Sequence, residues 1–221
     1  IAEFGSDALV EYLLKNGANP NLKTTDGSFI INMAASSTGE RFLEKLKEDI
    51  NTAAKARRLK ATYGDMNPMA DSFSERNRLI RPKVIELLLE YGADIESQDP
   101  DGLTPLIHAI VAGNTEIVET LIQRGANINA WNASGETALM TAVWWGQRDI
   151  VHLLVKIGAD VNPKLKSGEN ALEWAIFRGY DDIARLLMEA GAKKEFSVQF
   201  LESASTRDDI AAILKRLGLT L

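Results

Sequence analysis

The segment Asp101-Gly-Leu-Thr-Pro-Leu106, with Gly113-Asn-Thr-Glu-Ile-Val118 and Leu121-Ile-Gln-Arg-Gly-Ala-Asn-Ile-Asn129 behind it, sets the architecture of this chain. Its landmarks return twice at a spacing of 33 residues: Gly102 as Gly135 and Gly168, Thr104 as Thr137 and Asn170, and Gly125-Ala126 as Gly158-Ala159 and Gly191-Ala192. A constant period of this length marks stacked supersecondary units that bury their apolar faces on one another, rather than one closed globule.

Each copy reads as a turn followed by two helices. Thr104, Thr137 and Asn170 are placed as N-caps, whose side chains accept a bond from the first turn's unpaired amides, worth roughly 1 kcal/mol each. Pro105 falls at the first helical position, where its fixed φ suits the helix. Ala109, Ala142 and Ala175 are small enough to let neighbouring helices approach, and Gly113, Gly146 and Gly179 close the first helix. The second helices carry Ile117-Val118-Leu121-Ile122, Ile150-Val151-Leu153-Leu154 and Ile183-Ala184-Leu186-Leu187, an apolar stripe at the helical period.

Working outward, Leu9, Val10, Leu13 and Leu14 followed by Gly17-Ala18 match the second half of a unit, with Gly17 as the residue beyond the helix. Asp26-Gly27 opens another unit, whose second half, Val84 to Ala93, arrives 42 residues late. The surplus is assigned to residues 38–81, between the two helices of that unit. Downstream, Asp208 to Gly218 echoes Asp181 to Gly191 at an offset of 27, which reads as a shortened terminal repeat hiding one face and wetting the other. The resulting division is a partial repeat over 7–24, an interrupted repeat over 25–98, repeats at 99–131, 132–164 and 165–194, and a cap at 195–221, all in a single domain. Ile1 to Ser6 reads as a cloning scar, which leaves room for further native chain upstream.

These motifs resemble the ankyrin repeat. The resemblance is close over residues 83–194 and partial over 7–36 and 195–218. It implies an all-α repeat solenoid: an ankyrin-type stack of helix pairs with hairpin-like turns, interrupted here by one long helical insertion and ended by the shortened C-terminal capping repeat. The family's histidine after Thr-Pro-Leu is replaced by Ile107, Met140 and Glu173, so the hydrogen bonds of that histidine are not expected. The family function that follows by analogy is binding of another protein along the concave surface of turns and inner helices.

On that pattern the residues before the mid-repeat glycine face the concave side: Val111-Ala112, Trp144-Trp145 and Phe177-Arg178. Turn positions on the same side are Leu103, Trp131, Glu136 and Glu169. The candidate partner-binding residues are therefore Leu103, Val111, Trp131, Trp144, Trp145, Phe177 and Arg178. Trp and Arg dominate binding hot spots. Trp144 or Trp145 could equally pack on the adjacent inner helix, but neighbours on a helix point about 100° apart, so both cannot be buried. Trp174 reads as core. A secondary candidate lies in the insertion, where Ser37 and Glu40 suggest a capping box, Phe42, Leu46, Ile50 and Ala53 share a helical face, and Lys55, Arg57, Arg58 and Lys60 form a basic cluster. That cluster either meets an acidic partner or is a solvated helix face.

Composition narrows the function classes. A net charge of −6 over 221 residues speaks against broad nucleic-acid or anionic-membrane binding. No apolar run reaches the ~20 residues of a membrane span. With 0 Cys and 2 His, thiol catalysis and the usual zinc sites are ruled out. His108 and His152 are assigned surface roles, and Glu116, Asp149 and Asp182 fall where they meet the positive end of a helix dipole. No phosphate loop, paired-histidine helix or serine elbow is present. The reading is a non-enzymatic protein-interaction module, monomeric alone and without cofactor or metal, with another protein as partner. Two alternatives accompany it: an insertion that clasps or inhibits an enzyme, and a targeting domain of a larger secreted effector or enzyme. Localisation is undetermined, with the cytoplasm slightly favoured and a secreted form left open.

Overall fold

The computed structural model describes residues 6–24, 27–36, 45 and 82–219. The described residues form eleven helices and fall into two compact units, one within residues 1–126 and one within 127–221.

The first unit holds α1 (Ser6–Lys15), α2 (Ile30–Ala35), α3 (Pro82–Glu90), α4 (Pro105–Val111) and α5 (Thr115–Gln123). The first helices of successive repeats, α2 and α4, pack together, and so do the second helices α1, α3 and α5. The two layers close on Val10, Leu13, Ile30, Ile31, Ile85, Leu88, Ile107, Ile110, Ile117 and Leu121, all of them buried. Although 46 positions separate Ala35 from Pro82 in sequence, α2 and α3 still pack as a pair. Apart from Lys45, the segment 38–81 assigned to the insertion lies outside the described residues, Lys55, Arg57, Arg58 and Lys60 included.

The second unit holds α6 (Ala138–Trp144), α7 (Arg148–Lys156), α8 (Ala171–Phe177), α9 (Asp181–Glu189), α10 (Val198–Thr206) and α11 (Asp208–Arg216). Here α6 packs on α8, α7 on α9, and α11 against both α10 and α8. Ala142 and Ala175 are fully buried where the inner helices meet. On the outer helices Ile150, Val151, Leu154, Ile183, Ala184 and Leu187 are buried, whereas Leu153 and Leu186 at the stripe's edge are half-buried.

The expected caps are made. Thr104, Thr137 and Asn170 accept bonds from Ile107 N, Met140 N and Glu173 N, and Asn114 does the same for Ile117 N on the second helix. The residue after each second helix must turn the chain back, and Gly125 and Gly158 do so at φ 92° and 91°, a region that L side chains rarely adopt. The turns that follow are hairpins with one bridge each, at Lys23 with Phe29, Trp131 with Thr137 and Lys164 with Asn170. Asparagines link one repeat's turn to the next. Asn21 Oδ1 accepts from Asp94 N at 2.8 Å, Asn129 from Asp160 N at 2.9 Å and Asn162 from Lys193 N at 2.8 Å.

The terminal repeat is shortened in one place. Eight residues separate α9 from α10, where fourteen separate α7 from α8. The six missing residues are those of the hairpin, so the offset falls from 33 to 27 while both helices are kept.

Two expectations need correcting. Hydrogen bonding at the position of the family's histidine is absent at the apolar Ile107 and Met140, but Glu173 supplies it in its repeat and Asn32 does so in the interrupted one. Asn32 donates to Leu103 O at 3.0 Å and accepts from Ser97 Oγ at 3.0 Å. Glu173 accepts from the amide and the hydroxyl of Ser197. Each is buried and ties its inner helix to a following turn, so a buried polar group is satisfied across the repeat boundary. Nor is His108 an unengaged surface residue. It is half-buried, with Nε2 2.9 Å from Asp99 Oδ2.

Candidate functional site

The C-terminal ends of the packed helices α6 and α8 carry a surface rich in aromatic and arginine side chains. Trp144 is the last residue of α6 and Trp145 its C-cap; Phe177 and Arg178 hold the same places on α8. These ends lie beside the glycine that breaks each helix, so their side chains escape the close packing that fixes Ala142 and Ala175.

The two tryptophans divide the two roles the sequence left open. Trp144 is 38% exposed and meets Trp174 edge-on, with ring centroids 5.2 Å apart. Trp145 is 52% exposed. Trp174, 9% exposed, is core as expected and forms the base on which Trp144 stands.

Two arginines lie over this aromatic group. The Arg178 guanidinium is 4.8 Å from the Trp144 ring centroid and 5.8 Å from that of Tyr180, and its Nη2 donates to the Tyr180 hydroxyl at 3.3 Å. Arg207, the single residue between α10 and α11, lies 4.6 Å from the Phe177 centroid. In both cases an aromatic at one helix end is faced by an arginine from the next repeat, an attraction worth roughly 0.5–1 kcal/mol when exposed. Tyr180 is itself seated on Gly146. A Cβ there would come within 2.7 Å of the Tyr180 ring, so the bare glycine is what leaves room for the tyrosine that accepts from Arg178.

The remaining candidates belong to other elements. Trp131 is 63% exposed on its hairpin. Val111, at the end of α4 in the first unit, is 41% exposed. Leu103 is half-buried and tied down, its amide donating to Asp99 Oδ1 at 2.9 Å and its carbonyl accepting from Asn32. Glu136 and Glu169 are engaged inside their own turns, by Asn132 Nδ2 at 2.8 Å and Ser167 Oγ at 3.0 Å.

Two residues of the surface went unread in the sequence. Tyr180 occupies the place held by Asn114 and Gln147 in the other copies, so an unmatched residue there was a usable signal. Arg207 falls in the terminal repeat, where the 33-residue comparison fails; only the 27-residue echo aligns it with Tyr180. Among the described residues no cluster of His, Cys, Asp or Glu is arranged to hold a metal ion, and no helix is long and apolar enough to cross a membrane.

No curated protein matches the chain. The family model of ankyrin repeats does match, in three copies over residues 76–165. That span takes in helices α3 to α7 and two of the asparagines and caps described above, so residues 76–165 of this all-helical chain carry ankyrin repeats.

Proposed function

We propose that this chain binds a partner protein through the aromatic surface at the ends of α6 and α8, with Trp145 and Phe177 as its exposed anchors. Ankyrin repeats are in general protein–protein interaction modules rather than enzymes. The observation that carries the finer reading is that Trp145, Phe177 and Trp131 stay 52%, 41% and 63% exposed in a unit that buries its repeated apolar residues. Large exposed aromatics at positions that differ from copy to copy are not required by folding, and an aromatic surface of this kind marks an interaction site. The repeats hold these rings on rigid helix ends, so little conformational freedom is lost when a partner docks.

The test is quantitative affinity capture from the native cell type with the wild-type chain, beside Trp145→Ala and the Trp144→Ala/Trp145→Ala double variant. The captured partner should fall about tenfold or more with Trp145→Ala. Undiminished capture by both variants would place the binding surface elsewhere.

A further inference from the structure

Arg178 and Arg207 repeat one geometry with opposite charge balance. Each guanidinium faces a ring of the preceding repeat, at 4.8 Å and 4.6 Å. Arg207 is neutralised by a two-pronged pair with Asp209, at 3.1 Å and 2.6 Å. Arg178 has no carboxylate within ion-pair distance among the described residues, and its hydrogen bond goes to the neutral Tyr180 hydroxyl. The nearby acids are taken: Asp182, which the 27-residue echo aligns with Asp209, holds Arg148 at 2.9 Å, and Asp181 holds Arg216 at 2.7 Å. Arg178 is thus a cation with one side covered by Trp144, its direction set by Tyr180 and its charge unmatched.

We propose that Arg178 is a receptor for a side-chain carboxylate, and that the partner presents a linear segment in which an Asp or Glu sits beside an aromatic or aliphatic residue. The carboxylate bonds the guanidinium, and the neighbouring apolar side chain covers Trp145 or Phe177. This deepens the proposed function and rests on it. Arg pairs with carboxylates through a planar fork, and a guanidinium already stacked and hydrogen-bonded loses less freedom on binding than a loose one. An apolar neighbour that dries the site strengthens the pair. A polyanion fits poorly, since nucleic-acid binding rests on many cations releasing counterions together, whereas Arg148, Arg207 and Arg216 are already paired.

The experiment uses the full chain as bait for a phage-displayed library of random short peptides, followed by affinity measurements on the selected peptides after synthesis. Expected are peptides enriched in Asp or Glu next to an aromatic or aliphatic residue. Arg178→Gln should weaken them about tenfold, Arg178→Lys should restore part of the loss, and changing the peptide's acid to its amide should weaken the wild type equally with no further loss against Arg178→Gln. Thermal melts of each variant show whether the fold is intact. If Trp145→Ala weakens the peptides but Arg178→Gln does not, the carboxylate assignment is wrong while the aromatic surface stands. If neither variant matters, the surface itself is misplaced. Failure to select acidic peptides also overturns the proposal.

Discussion

Glu173, 1% exposed on α8, accepts hydrogen bonds from both the amide and the hydroxyl of Ser197, the second at 2.8 Å, and so ties the last full repeat to the cap. Burial raises its pKa above the ordinary 4.5 and the nearby Glu169 adds to this, while the bonds from Ser197 and the charge of Lys164 oppose it. A carboxyl whose folded pKa is raised stabilises the fold fully below its unfolded value, and that stability is lost as pH rises through the folded one. The melting temperature of the wild type minus that of Glu173→Gln should therefore fall as pH rises from about 4.5 and then level off. A difference that is flat with pH would show that burial does not dominate. Glu173→Ala, which strands both Ser197 donors, should cost about 1–3 kcal/mol.

Two glycines separate backbone strain from steric conflict. Gly158 has φ +91° and nothing within 4 Å of an added Cβ, whereas Gly146 has φ +66° with the Tyr180 ring at 2.7 Å. Gly158→Ala should cost about 1–2 kcal/mol from conformation alone. Gly146→Ala should cost more, and it should also displace Tyr180 and lower affinity for any ligand that uses Arg178. Equal losses in urea denaturation would refute the seating of Tyr180 on Gly146.

The adjacent tryptophans should differ in stability. Trp145→Ala, at a largely open position, should change unfolding free energy by no more than about 0.5 kcal/mol. Trp144→Ala removes an edge contact with Trp174 and the ring beneath Arg178, and should cost about 1–3 kcal/mol. A scan by differential calorimetry distinguishes them, and the reverse order would exchange their roles.

Asp99 closes its turn by accepting from Asp101 N at 3.0 Å and Leu103 N at 2.9 Å with one oxygen, while the other meets His108. Asp99→Ala should lose about 1–3 kcal/mol in urea titration. Asp99→Asn should lose less, because Asn132 does the same work in the next copy, accepting from Ser134 N and Glu136 N at 3.0 Å each. Identical losses would show that the His108 contact, not the turn, sets the cost.

What the sequence determined by itself was everything that recurs. Caps, helix-ending glycines and apolar stripes act through neighbours a few residues away, so their spacing states their role: Thr137 caps Met140 N and Leu154 is buried as read. Comparing copies also picked out Trp144-Trp145 and Phe177-Arg178 as residues that folding leaves free to vary. What only the tertiary structure decided was the job of each varying residue, because that depends on which side chain of the next repeat reaches it. The 33-residue period places Trp144 and Phe177 at equivalent positions, yet one stands on Trp174 beneath Arg178 and the other lies under Arg207, an arginine outside the period. The same reach across repeats turned Glu173 from a lost histidine into the acceptor for Ser197. It also left Arg178, but not Arg207, with its charge unmatched among the described residues.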